Sequence, residues 1–200
     1  MSLLSLKEKE HIERFRFMND RALSFLGKAI FWCFADKYKD YKDGEVVFLE
    51  DYDFITKENF KEIPLKYNEL GKPFVDGREN LYFNISHSKN ICVVAIGDEN
   101  VGIDVQEKKA IKNDFAKRYY HAKDLAHIDM VEDKDSEIIR IWSMKESFVK
   151  YEGSGMAYGL SKFYSDYDNN LIVSNEGDIL AKYSKVFEDD TFVCYISQKN

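Results

Sequence analysis

The sequence predicts an α+β fold in two similar halves, and three observations carry that prediction. Apolar residues recur at helix-like spacing near the start of the chain and again over residues 135–151. Between them lie runs rich in branched residues, bounded by turn chemistry. Further short apolar runs close the chain. Helix and strands, followed by helices and strands again, is the order expected of α+β architecture. No internal repeat is visible, and no linker of Pro, Gly and Ser separates the halves.

Taken in order, residues 6 to about 37 are helical in pattern, with Phe15, Met18, Leu23, Leu26, Ile30 and Phe34 on one stripe. Asn19 or Asp20 is the expected cap of a second helix within that stretch. Val46 to Leu49 reads as a short strand. Pro64, Gly71, Pro73 and Gly77 mark a loop region. Leu81 to Ile85 reads as a strand. Ile91–Ile96 and Val101–Val105 read as a hairpin turned by Gly97-Asp98-Glu99-Asn100. Lys108 to about Lys123 is basic and helical from Asp114. Asp135 to about Tyr151 is a long helix, stopped by Gly153 and Gly155. Leu171–Val173, Ile179–Tyr183 and Thr191–Ile196 are the closing strands.

Two hundred residues with 44% hydrophobic content suffice for one sizeable domain, or for two small lobes sharing a core. A net charge of -7 argues against general nucleic-acid binding, which needs a positive field over phosphates. It does not exclude small phosphorylated ligands, for which local charge decides. Cys33, Cys92 and Cys194 have no metal or redox spacing and read as small apolar residues in a reduced interior. The first residues turn charged too soon for a signal peptide, and no long uncharged run spans a membrane. The chain therefore reads as a soluble cytoplasmic protein.

The most informative residues lie on one strand and one helix. In Val101-Gly102-Ile103-Asp104-Val105-Gln106, a period of two points Asp104 and Gln106 the same way. Glu107 should face the opposite side. In Trp142-Ser143-Met144-Lys145-Glu146-Ser147-Phe148-Val149-Lys150, a period of 3.6 stacks Trp142, Glu146 and Lys150 on one stripe. If strand and helix face each other, two carboxylates, an amide oxygen and an ammonium meet. Such a set holds a hard cation such as Mg2+ through oxygen while the lysine neutralises phosphate charge.

Each residue alone has an ordinary reading. Asp104 can be a strand-end or turn acceptor, and Gln106 a solvated strand end. Glu146 and Lys150 form an i,i+4 pair of a kind worth ~0.2–0.5 kcal/mol. Phe83-Asn84-Ile85-Ser86-His87-Ser88 is either a polar turn or a set of donors for phosphate oxygens; adjacent Ser86 and His87 diverge too far for a nucleophile pair. Lys72, in Gly71-Lys72-Pro73, is a solvated loop lysine or an anion contact. Lys108, Lys109, Lys112, Lys117 and Arg118 form a solvated face or a docking patch for an acidic partner.

In this order, the Gly-Lys-Pro loop, the Phe83–Ser88 segment, the Gly102–Gln106 strand and the Trp142–Lys150 helix with Gly153 and Gly155 form a signature. It resembles the 4'-phosphopantetheinyl transferases of the larger, surfactin-synthetase-activating type. The resemblance is strongest from Leu70 to Gly155. It implies two pseudo-symmetric α/β lobes, residues 1–100 and 101–200, with coenzyme A in the cleft between them. The carboxyl-terminal lobe would carry the metal-site residues. The implied reaction moves the 4'-phosphopantetheine arm of coenzyme A to a serine of an apo acyl or peptidyl carrier protein, with Mg2+ as cofactor. The enzyme would be a monomer.

The same resemblance implies Asp104 and Glu146 as metal ligands, with Gln106 in the third metal-side position. Lys150 would lie by the pyrophosphate, Ser86 and His87 on coenzyme A phosphates, and Lys72 beside the nucleotide. Asp104, Glu146 and Lys150 form the implied catalytic set. The basic segment after Gln106 would receive the acidic carrier. Two departures stand out. Gln106 replaces an acid, which leaves a non-catalytic coenzyme A or carrier-binding paralogue as the rival reading. Near the amino terminus, Arg14, Arg16, Arg21 and Lys28 are the candidate phosphate contacts.

Overall fold

The computed structural model describes residues 4–56, 58–111 and 114–200. Lys112 of the basic segment lies outside them. Among the described residues, α-helices run over Leu6–Glu13 (α1), Met18–Phe34 (α2), Phe115–Tyr119 (α3), Ala122–Met130 (α4) and Lys134–Glu152 (α5). The strands are Leu65–Tyr67 (β1), Pro73–Val75 (β2), Tyr82–Ser88 (β3), Ile91–Gly97 (β4), Val101–Glu107 (β5), Phe163–Asp166 (β6), Leu171–Ser174 (β7), Ile179–Glu188 (β8) and Phe192–Gln198 (β9). The fold is α+β. None of the described helices is long and apolar enough to cross a membrane.

The two halves repeat one plan at different sizes. In the first, α2 lies across the β3–β4 hairpin, beside the small β1–β2 ribbon. Phe31 stacks on Phe83 at 3.8 Å between ring centroids. Gly27 allows the close approach, since a Cβ there would sit 2.4 Å from Ile85 Cγ2. In the second half, α5 lies across β5 and β9 of a five-stranded antiparallel sheet ordered β5-β9-β8-β7-β6. Phe148, Phe163, Ile141 and Ile172 fill the core beneath α5.

Several sequence expectations change here. The hairpin is β3–β4, closed by Lys89-Asn90 with Lys89 at φ 54°, while Gly97–Asn100 carries the chain to a different sheet. β5 pairs with β9, so Val101–Val105 is not the partner of Ile91–Ile96. Val46–Leu49 forms no strand; its side chains are exposed and the segment has no ladder partner. The proline-flanked loop region contains the β1–β2 ribbon. The first helical stretch breaks between Glu13 and Met18, where Phe17 precedes α2 without a side-chain cap, and Asn19 and Asp20 fall inside its first turn.

α5 starts and stops as its sequence demands. Asp133 Oδ1 accepts from Ser136 N at 3.1 Å, and acidic residues sit in the first turn. Gly153 ends it in the left-handed conformation, φ 71°. Midway along, Arg140 reaches Glu188 on β8, which also binds Lys108 and Lys185. Burial opposes ionisation of Glu188, but its hydrogen bonds from three cations outweigh it and hold the carboxyl down at about 2. A depressed carboxylate adds stability above its unfolded pKa that disappears as pH falls through the folded one. Glu188→Gln should therefore lower stability by about 1–2 kcal/mol at pH 7, allowing for solvent screening. The gap from the parent should close between pH 4.5 and 2, measured by urea denaturation across that range.

The halves meet where β3 runs beside β5. The link is not a backbone ladder. Asn84 Oδ1 accepts from Ile103 N at 2.9 Å, Ser86 Oγ from Val105 N at 3.2 Å, and Ser88 Oγ from Glu107 N at 3.0 Å. The period of two along β3 thus serves the outer N–H row of β5 with side-chain oxygens.

Candidate active site

The cavity at this junction is about 550 Å³ and is lined by Ile85, Ser86, His87, Asp104, Gln106, Trp142, Glu146 and Lys150. Strand β3 supplies the first three, β5 the next two and α5 the last three. The strand and helix periods therefore converge as their spacing predicts. Glu107 turns away and pairs with Lys89.

Asp104 is the hub. It is buried, with only 2% of its surface exposed. Its Oδ1 accepts from Ser86 Oγ at 2.9 Å and from Lys150 Nζ at 2.6 Å. Its Oδ2 accepts from Gln106 Nε2 at 2.8 Å. Lys150 Nζ also donates to Ser86 Oγ at 2.8 Å. Behind the hub, Ser143 Oγ donates to the Asp104 carbonyl at 2.8 Å and ties helix to strand at the acid itself. Nothing in the sequence pointed to that role, since Ser143 is outside the stripe of Trp142, Glu146 and Lys150.

Glu146 is the unsatisfied member. Its Oε1 is buried without a hydrogen-bond partner. Burial first, and the Asp104 carboxylate second, push its pKa up to about 7, with Lys150 opposing. His87 is held below its usual value by burial, and Phe15 meets its ring edge-on at 6.3 Å. Trp142, which lines the cavity, packs on Phe115 at 4.8 Å between ring centroids.

Three expected contacts are placed elsewhere. Lys72 does not line the cavity; its Nζ donates to Asn100 Oδ1 and to the carbonyls of Val101 and Tyr151. Lys28 is buried and paired with Glu8 beside Tyr67, so it is not free to meet a phosphate. Arg21 is spent on the carbonyls of Phe15 and Glu13. Arg14 and Arg16 remain exposed. Of the basic segment, Lys109, Lys117 and Arg118 are exposed, whereas Lys108 is engaged by Glu188.

Residues 100–197 match the family described as the 4'-phosphopantetheinyl transferase superfamily. That match takes in 98 of the 200 residues, from just before β5 into β9. The match contains the Asp104, Glu146 and Lys150 side chains that meet in the cavity. Among similar proteins, 4'-phosphopantetheinyl transferase psf-1 of Bacillus pumilus is 31% identical over 162 residues, covering 80% of this chain and 62% of its own. Transferase Sfp of Bacillus subtilis is 27% identical over 166 residues, covering 82% and 66%. Transferase HetI of Nostoc is 26% identical over 162 residues, covering 77% and 61%. The chain spans less than two thirds of the length of these relatives. The crystal structure of a Thermotoga maritima holo-[acyl-carrier-protein] synthase overlaps 50% of this chain and 64% of its own at a TM-score of 0.41 and 19% identity.

Proposed function

We propose that the protein transfers the 4'-phosphopantetheine arm of coenzyme A to a serine hydroxyl of an apo acyl or peptidyl carrier protein, acting as a monomer in the cytoplasm. The observation that carries the proposal is the convergence of Asp104, Glu146, Lys150 and Ser86 on one open cavity. Residues 1–100 and 101–200 form its two lobes, and β3 and β5 its floor.

The donor set suits a divalent cation. Glu146 Oε1 is an orphaned buried acceptor near a second carboxylate, and the charge between them favours a cation. Among the described residues no group of three or more His, Cys, Asp or Glu could hold a metal ion; the acids here are the two of Asp104 and Glu146, with Gln106 in the third position. Mg2+ held by Asp104 and Glu146, with the Gln106 amide oxygen, would neutralise pyrophosphate charge and orient it for attack.

The chain's own groups divide the remaining work. Glu146 takes the proton from the attacking serine. The serine oxygen bonds to the phosphorus carrying pantetheine, and the bond to the adenosine-side phosphate breaks. Lys150 offsets the charge on the departing adenosine 3',5'-bisphosphate. Ser86 and His87 donate to phosphate oxygens and position them. The exposed Lys109, Lys117 and Arg118 attract an acidic carrier and speed its encounter.

The test is the intact mass of apo acyl carrier protein after incubation with the protein, coenzyme A and Mg2+. The expected result is a gain of one phosphopantetheine, lost on adding EDTA. No gain on any carrier, with coenzyme A still bound, would instead establish the binding-only reading that Gln106 suggests. Gln106→Glu would then be expected to restore transfer.

A further inference from the structure

Lys72 has a half-buried ammonium that does not line the cavity, and its partners define another task. Its Nζ donates to Tyr151 O at 2.8 Å, Asn100 Oδ1 at 2.8 Å and Val101 O at 3.4 Å. Tyr151 belongs to the last turn of α5, Val101 opens β5, and Asn100 precedes it. The lysine itself comes from the loop between β1 and β2, in the other half of the chain.

The loop is prepared for this reach. Asn68 Oδ1 accepts from Leu70 N at 3.0 Å and Lys72 N at 2.7 Å, which closes the turn on itself. Asn68 Nδ2 then donates to Gly153 O at 3.0 Å. Asn100 Nδ2 donates to Tyr151 O at 2.9 Å. The lysine stem passes over Gly153, where a Cβ would lie 2.9 Å from Lys72 Cδ and 3.2 Å from Asn68 Nδ2. Helix ends leave carbonyls without partners inside the helix, and a cation there also meets the negative end of the helix dipole. Two asparagines and a lysine supply those partners to α5.

We propose that Lys72 is a positioning residue, clamping the carboxyl end of α5 and the start of β5 so that Lys150 is held at the cavity. Lys150 is adjacent in sequence to Tyr151, and its Nζ must meet both Asp104 and Ser86. An α5 end that frays or tilts moves that ammonium. A ligand phosphate would draw Lys72 away only by releasing three acceptors. The inference concerns the geometry of the clamp and rests on the proposed transfer only for its kinetic consequence.

The experiment compares the parent with Lys72→Met and Asn100→Ala. Three readouts are taken: amide hydrogen exchange over residues 150–153 without ligand, calorimetric affinity for coenzyme A and for 3'-dephospho-coenzyme A, and steady-state transfer. The clamp predicts faster exchange in both variants and an unchanged ratio of the two affinities. It also predicts kcat lowered about tenfold or more with KM for coenzyme A within about twofold. Unchanged exchange, or a collapsed affinity ratio in Lys72→Met, would make the lysine a 3'-phosphate contact and overturn the clamp. Should Lys72→Met not fold, Asn100→Ala still removes two bonds of the same network. If the parent binds no coenzyme A, the proposed function fails, while hydrogen exchange still decides the clamp.

Discussion

Glu146→Gln is expected to abolish transfer and, at the same time, to make the metal-free protein more stable at pH 8. Both effects have one cause. Burial and the Asp104 carboxylate raise the Glu146 pKa from 4.5 to about 7. A carboxyl whose folded pKa is raised stabilises the fold fully below the unfolded value and loses that contribution as pH rises through the folded one. Above pH 7 the native state therefore holds an ionised, poorly solvated carboxylate with no hydrogen bond to Oε1. The amide removes that charge at nearly constant shape, and a gain of about 1–2 kcal/mol follows at pH 8. The gain should fade toward pH 4.5, where the parent is protonated in both states. Chemical denaturation at pH 5 and pH 8, with EDTA present, measures it. Transfer should be lost at every pH while coenzyme A binding persists. Activity surviving the change would remove Glu146 from the role of base, and unchanged stability at pH 8 would remove the repulsion.

The second large effect is at Gly102. A Cβ there would come 2.1 Å from Ser147 O and 2.2 Å from Tyr151 N. Both atoms belong to the backbone of α5, so no side chain can rotate away. The helix rests directly on β5, and this contact sets the depth at which Glu146 and Lys150 meet Asp104. Two hydroxyl bonds lie along the same line of contact, Ser143 Oγ to Asp104 O at 2.8 Å and Ser147 Oγ with Ser197 Oγ at 2.7 Å. Gly102→Ala must push the helix off the sheet or bend it. A loss of about 3 kcal/mol or more is expected, near the upper end for overpacking. For a chain of this size that lowers Tm by about 6–12 °C. A scanning calorimetry trace like the parent's would show that α5 does not approach β5 so closely.

Much of the site was legible in the sequence because its residues obey simple periods. Asp104 and Gln106 share a strand face, and Trp142, Glu146 and Lys150 share a helix stripe; all five line the cavity. The end of α5 was legible because Gly153 acts locally, and its start lies one residue before the expected Asp135. Pairing was less legible because it depends on distant partners. Gly97–Asn100 has ordinary turn residues, yet the tight turn is Lys89-Asn90, with a lysine in a conformation that usually selects Gly or Asn. Val46–Leu49 has strand-like composition but no neighbour to accept its backbone. Lys72 was read from its loop, and its Nζ bonds to carbonyls about 30 and 80 positions away in the chain, which no local pattern could show. Lys28 was read from its charge, and its partner Glu8 lies on another helix.

The three oxygens that β3 offers to β5 also bear on solubility. A strand at the border of a sheet carries a row of open N–H groups, and such a row invites a foreign chain to add on. Here Asn84, Ser86 and Ser88 occupy the donors of Ile103, Val105 and Glu107 without extending the sheet. Short polar side chains seal the border as water would, but they stay in place. The same seal joins the border through three side-chain bonds to backbone N–H groups, where a continuous sheet would have a full ladder. Ser86 belongs to both the seal and the cavity. Whatever fills the cavity and engages that hydroxyl therefore pulls directly on the border that keeps neighbouring molecules apart.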